Sequence, residues 1–197
     1  MRLVRRKNES YTKHMLKTKS GFTIVELLIV IVVIAILAAI SIIAYNGIQT
    51  RADNAKTVAA VSAWAKALQM YNAELGTWPT GNSCLGTLTT YSSAYNGRCW
   101  PPSTSGWVVS SAFLTQVRPY IGEPYPEPSN KPLYHSTTPT DEFRGAMYYR
   151  VADNDIRIYT HFQGVSTCPS IGGLGDAFSG DNNRTNGRSC YYYLQKP

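Results

Sequence analysis

KTKSGFTIVELLIVIVVIAILAAISIIAY, residues 17–45, decides how the rest of the chain is read. From Phe22 to Ala44 every residue is apolar except Thr23, Glu26 and Ser41. A helix that crosses a bilayer needs about 20 predominantly apolar residues, and this run has that length. Glu26 does not fit. It lies near the start of the run, and no cation follows it until Arg51. A carboxylate within a membrane helix costs roughly 2.5–3.5 kcal/mol even on lenient insertion scales. A simple anchor gains nothing from that cost. A helix whose Glu26 must meet a cation of another chain does.

The residues before the run are basic. The chain of 197 residues has a formal charge of +7, but residues 1–21 hold seven of its 19 Lys and Arg and only one of its 12 acids, Glu9. From Phe22 onward 12 basic and 11 acidic side chains remain, a net +1. The basic excess is therefore a topology signal rather than a nucleic-acid footprint. Lys and Arg ahead of a membrane helix hold that end in the cytoplasm, which puts the C-terminal part outside. An ordinary secretory signal also has a basic start and an apolar core, but that core spans about 7–15 residues. This run is longer. An ordinary signal-anchor helix, with Glu26 a tolerated intruder, is the plainer alternative.

Basic residues, then Gly21, Phe22, and Glu26 leading an apolar run, resemble the cleavage and methylation signature of type IV pilins and of the pseudopilins of type II secretion systems. In that family a membrane peptidase cuts after the glycine and methylates the new N-terminus. Carried over, the resemblance implies a cut between Gly21 and Phe22, an N-methylated Phe22, and a salt bridge from Glu26 to the N-terminal ammonium of an adjacent subunit. It also implies partners: a prepilin peptidase/N-methyltransferase, other pilin subunits, an inner-membrane assembly platform, and membrane lipid before assembly. Many pilins carry a proline just before the tyrosine that corresponds to Tyr45; here Ser41–Ala44 has none.

The helical pattern runs on past Tyr45. Ile48, Ala52, Ala55, Ala59, Ser62, Ala65, Leu68 or Gln69, and Leu75 recur at steps of three and four, an amphipathic stripe rich in alanine. Gly76 and Pro79 supply the stop. Phe22 to Leu75 then makes one helix of about 80 Å at ~1.5 Å per residue. Gly47 is its soft point, because an interior glycine costs about 1 kcal/mol relative to alanine.

Thr77 to Gly106 reads as loop, and its Gly-Thr-Trp-Pro exit (76–79) again resembles the pseudopilins. Ser110 to Gly122 offers a short helix with a Ser N-cap, ended by Pro119. EPYPEPSNKP is an extended connection. AMYYRV (146–151) and IRIYTHF (156–162) flank Ala152–Asp155 as an antiparallel hairpin. Met147, Tyr149 and Val151 share one face; Ile156, Ile158 and Thr160 share a face of the partner strand. A lone hairpin is marginal in water, so one face must cover the helix. Residues 164–187 read as a long loop, and Tyr191–Leu194 as a last strand.

Cys84, Cys99, Cys168 and Cys190 all fall in the part placed outside, where disulfides persist. Four cysteines allow three connectivities; the nearest-neighbour choice, Cys84–Cys99 with Cys168–Cys190, is favoured. Zinc would want CxxC or CxxH spacing, and His135 and His161 are isolated. Some pseudopilins hold calcium in a C-terminal loop, which makes Asp176 and Asp181 candidate ligands; a solvated turn-rich loop is the alternative. No GxSxG, P-loop or HExxH occurs, so no enzyme is expected. Of the 14 tyrosines most read as the aromatic cover of a thin sheet, some as a binding surface. Arg144, Arg150, Arg157, Arg184 and Arg188 are the cations that DNA capture would use.

The fold expected is α+β, a pilin-like lollipop: a long N-terminal helix on a small antiparallel sheet with disulfide-closed loops. Residues 1–21 form a cleaved cytoplasmic leader, 22–45 the transmembrane or filament-core helix, 46–76 its amphipathic continuation, and 77–197 an extracytoplasmic domain. The function expected is a structural subunit of a type IV pilus or a secretion-like filament, first in the inner membrane and then at the cell surface or in the periplasm. The alternative is a membrane-anchored minor tip pilin that binds DNA or a surface.

Overall fold

A computed structural model describes residues 21–91, 97–100, 107–135, 142–175, 177–179 and 184–194. The chain divides between Ile43 and Ala44 into two compact units.

In the first unit the chain enters α1 (Ile24–Leu75), which is continuous into the second. Every large apolar side chain from Phe22 to Ile42 is exposed. Apolar surface in water is unfavourable by roughly 25 cal/mol per Å², so this segment calls for lipid or other chains around it. The helix is long and apolar enough to cross a membrane.

In the second unit α1 buries Thr57, Ala60, Val61, Trp64, Ala65, Ala67, Leu68, Tyr71 and Asn72. This corrects the alanine stripe expected from the sequence. Ala65 and Leu68 belong to the buried face, but Ile48, Ala52, Ala55, Ala59 and Leu75 are exposed. Alanines at helical spacing mark a stripe without saying which one is covered. The wide ring of Trp64 removes more apolar area from water than any alanine, and the helix is rotated to bury it. Trp64 stacks on Tyr125 (centroids 5.8 Å), lies 6.2 Å from Phe113, and donates Nε1–H to the Pro126 carbonyl at 2.8 Å. The helix ends as expected at Gly76. Its φ of +67° is the left-handed cap, and its N–H reaches the Asn72 carbonyl at 2.8 Å.

Gly47 stands inside α1, and a Cβ added there meets nothing within 4 Å. Gly47→Ala should therefore raise helix stability by about 1 kcal/mol without a clash. Slower hydrogen exchange around residues 44–50 is the expected readout, and unchanged exchange would remove the soft point.

The helix α2 (Ser111–Val117) is capped by Ser110, whose hydroxyl accepts the Phe113 N–H, and a 3₁₀ turn (Arg118–Tyr120) holding Pro119 ends it. Phe113 and Val117 are its buried residues.

A five-stranded antiparallel sheet runs in the order β1 (Ser83–Cys84), β4 (Ala146–Ala152), β5 (Asp155–Gln163), β8 (Gly187–Tyr193), β6 (Ala177–Ser179). A second sheet orders β3 (Glu142–Phe143), β2 (Leu133–His135) and β7 (Arg184–Thr185). The hairpin forms, but tighter than read: Ala152 pairs Asp155, leaving Asp153-Asn154 as the turn. Register sets the faces. Tyr148 pairs Ile158, which pairs Tyr192, and these join Val61, Trp64 and Leu68 in the main core. Met147 pairs Tyr159, which pairs Tyr191, on the opposite face. The Ile156–Ile158–Thr160 face is thus the one that covers the helix. A register shift between Arg150 and Ala152 accompanies the exposure of Val151.

Cys84 joins Cys99 and Cys168 joins Cys190. The first bridge caps a small second core with Tyr91 and Met147 on the far face of the sheet. The second ties the 164–175 segment to β8. Elsewhere in the second unit the partly exposed Glu127 accepts the Thr87 hydroxyl at 2.6 Å, which holds its carboxyl below the ordinary value of 4.5. A lowered carboxyl contributes stability that is complete above that value and lost as pH falls through the folded value. The stability gap between wild type and Thr87→Val should therefore be widest at neutral pH and narrow below pH 4.5. Denaturant titrations at pH 7 and at pH 3 check this; a gap of constant size refutes it.

Candidate processing and assembly site

Gly21, Phe22 and Thr23 precede the helix, and Thr23 is its N-cap. The first N–H groups of any helix lack intrahelical partners. Here Thr23 and Glu26, three residues apart, supply them reciprocally. The Glu26 N–H donates to Thr23 Oγ1 at 3.2 Å. In return Glu26 Oε2 accepts the Thr23 N–H at 2.8 Å and the Thr23 hydroxyl at 2.6 Å. This is a capping box, and a negative group at this end of a helix is favoured by the helix dipole. Thr-Ile-Val-Glu carries that signal in the sequence, but the charge of Glu26 among apolar residues draws attention away from its second role as a cap. Thr23 is thus the residue of this site that pattern reading misses.

The other carboxylate oxygen, Oε1, takes no hydrogen bond from a described residue. One oxygen is therefore held by the chain's own cap and one faces outward, on a side chain in an exposed apolar surface. Gly21 and Phe22 lie outside the helix, Phe22 is 82% exposed, and a Cβ at Gly21 meets nothing within 4 Å. Both residues flanking the 21–22 peptide are exposed.

The remaining candidates from the sequence fall elsewhere. The four cysteines are all in the second unit and all in disulfides. Asp176 and Asp181 lie outside the described residues, and among the described residues no group of three or more His, Cys, Asp or Glu could hold a metal. His161 is buried, with Nδ1 3.0 Å from Ser189 Oγ and the rings of Phe143 and Trp100 beside it. Three of the five candidate DNA-binding arginines are bonded to acids of their own chain: Arg144 to Glu142, Arg150 to Asp153 and Arg157 to Asp155. Most of the described tyrosines of the second unit pack as the aromatic cover expected, and Tyr95 lies outside the described residues. Trp107, Tyr149, Tyr159 and Tyr191 form a chain of edge-on contacts at 5.5, 5.4 and 4.1 Å, all half-buried.

Residues 16–42 match the prokaryotic N-terminal methylation motif. The chain is 35% identical over 79 residues to the fimbrial protein EcpC of Eikenella corrodens, covering 40% of this chain and 52% of that one. It is 34% identical over 71 residues to the type IV major pilin PilE1 of Neisseria gonorrhoeae, covering 36% of this chain and 43% of the pilin. It is 35% identical over 72 residues to the type II secretion system core protein G of Aeromonas hydrophila, covering 36% and 50%. The chain spans about half the length of the curated relatives it matches. No solved structure gives a significant match. A cap that presents a carboxylate at the head of an exposed apolar helix, an exposed Gly21–Phe22 pair and these matches agree: the chain carries a prepilin-type methylation signature and is similar in part to type IV pilins and to a type II secretion pseudopilin.

Proposed function

We propose that this protein is a structural subunit of an extracytoplasmic filament, processed between Gly21 and Phe22 and assembled through α1. The observation that supports this best is the exposed apolar segment of α1, headed by Glu26 and matched by the methylation motif. Residues 1–21 serve as leader, 22–45 as membrane and filament-core helix, 46–76 as its continuation, and 77–197 as the outer domain. Hydrolysis of the 21–22 bond leaves a carboxylate on Gly21 and an ammonium on Phe22, which a methyl donor then methylates. The Phe22 ammonium of one copy pairs with the outward Glu26 oxygen of the next. Each incoming subunit gains this pair only when its helix is in register, because an uncompensated charge among apolar side chains costs several kcal/mol. The work is assembly rather than catalysis.

Relatives include both a major pilin and a secretion core protein, so the same reading serves a long surface pilus or a short periplasmic rod. Electron microscopy of sheared and lysed cells separates the two. Intact mass of the chain purified from membranes tests the proposal itself. A chain beginning at methylated Phe22 is expected, and one beginning at Met1 under all growth conditions would remove it.

A further inference from the structure

The second unit holds a cleft of about 530 Å³ beside the first turns of its helix. One wall is α1 from Asn46 to Asn54, and the other is the chain leaving β5, Gln163 to Val165. Gly47 helps to open it, since nothing lies within 4 Å of where its Cβ would be. Most of the polar groups along the cleft already have partners. The Asn54 side chain clamps Gln163, accepting its N–H at 3.2 Å and donating to its carbonyl at 2.8 Å. Thr50 Oγ1 donates to the Asn46 carbonyl, Gln163 Nε2 to the Pro132 carbonyl, and the Gly164 N–H to the Asn186 carbonyl. Two side-chain donors are left over, the Asn46 amide and the exposed Arg51 guanidinium, which has no ion pair with a described residue. Asp53, the nearest acid in sequence, does not line the cleft and is approached by Gln49 Nε2 at 3.4 Å. A cleft whose uncommitted side-chain donors are a cation and an amide favours an anion.

Chain order indicates which anion. The apolar run ends at Ala44, two residues before Asn46 and seven before Arg51. At ~1.5 Å per residue, Arg51 stands about 10 Å past the last apolar residue. The headgroup layer of a bilayer is about 5–7 Å deep on each side of the hydrocarbon. Helical side chains lean toward the helix N-terminus, and a long cationic one extends back to an interface. Exposed Tyr45 at the edge of the run is the residue type found at that depth.

From these we infer that the cleft between Asn46–Asn54 and Gln163–Val165 holds the phosphate of a membrane phospholipid, with Arg51 and Asn46 as its donors. This rests on the membrane-resident stage of the proposed function. The lipid headgroup then fixes how deep the waiting subunit sits, and it is left behind when the helix enters a filament.

The test uses the full chain purified in dodecyl maltoside, with dioleoyl phosphatidylglycerol added and bound lipid counted by mass spectrometry of intact complexes. One tightly retained lipid is expected for wild type. Arg51→Gln should bind it about five- to tenfold more weakly, Arg51→Lys should recover part of the loss, and dioleoylglycerol, which lacks the phosphate, should not be retained. Equal retention by Arg51→Gln, or of dioleoylglycerol, overturns the assignment. So does saturation by inorganic phosphate at concentrations that leave lipid bound, which marks a free-ion site. Arg51→Gln that keeps its lipid yet fails to form filaments also overturns it and gives the cleft to a second copy of the chain. Flotation with phosphatidylglycerol vesicles checks the underlying reading separately: a chain that does not float loses its membrane stage, whatever Arg51 does.

Discussion

Glu26→Ala is expected to be cut after Gly21 and to stay in the membrane, but to lower filament yield by more than tenfold. The Gly21–Phe22 peptide lies outside the helix and does not depend on the Glu26 side chain for its exposure. On the proposed pairing, what the variant loses is the mate of an incoming ammonium. Leaving one member of a buried ion pair unmatched costs roughly 3–5 kcal/mol, more than a hundredfold at each addition by the usual factor of about ten per 1.4 kcal/mol. The carboxylate half of the capping box is lost with it, because Oε2 accepts both donors of Thr23, while the residue-26 N–H still reaches Thr23 Oγ1. Thr23→Val separates the two contributions. It removes the hydroxyl from the cap but keeps both carboxylate oxygens for a neighbour, so its yield should fall less than that of Glu26→Ala. Sheared-filament yield and intact mass, measured on the same cells, read both quantities. Wild-type yield from Glu26→Ala would end the pairing proposal.

Trp64→Ala carries the largest expected loss of fold stability, about 3–5 kcal/mol. Its ring is fully buried between helix and sheet, against Tyr125 and Phe113, and its indole N–H satisfies the Pro126 carbonyl. Truncation leaves a cavity and an orphaned carbonyl together. For a unit of this size 1 kcal/mol corresponds to about 2–4 °C in Tm, so the drop should be near 10 °C. Ala59→Ser, on the exposed side of the same helix, should change Tm by at most a degree or two. Near-UV circular dichroism of the full chain in detergent measures both. Equal effects would mean that the helix does not bury the Trp64 face.

How much of this is legible in the sequence depends on which residues carry a rule of their own. Gly76, the Ser110 cap, Pro119 and the alternation around Asp153-Asn154 each have a local mechanism, and each element stands within a residue or two of where that mechanism puts it. The buried stripe of α1 is displaced from the expected one because small residues fit any face, and only the sheet decides which face is covered. The strand pairs involving Ser83–Cys84, Leu133–His135 and Arg184–Thr185 are not legible at all. They are two or three residues long, too short a span for any periodicity to develop, and Ser83–Cys84 and Arg184–Thr185 find their partners about 50 to 65 residues away. Glu26 is legible as a misplaced charge. Its half-satisfied state is not, since that needs the position of Thr23 Oγ1.

The two crosslinks have a consequence for a filament under tension. A pull that opened the outer unit could not pay out the chain that its bridges enclose. The loops closed by Cys84–Cys99 and Cys168–Cys190 span 15 and 22 residues. At ~3.3–3.6 Å per extended residue they withhold about 50 and 75 Å of slack. β8, which carries Cys190, is paired on both sides by β5 and β6, so under the proposed load the crosslinks shorten the extension that an opened outer unit can give.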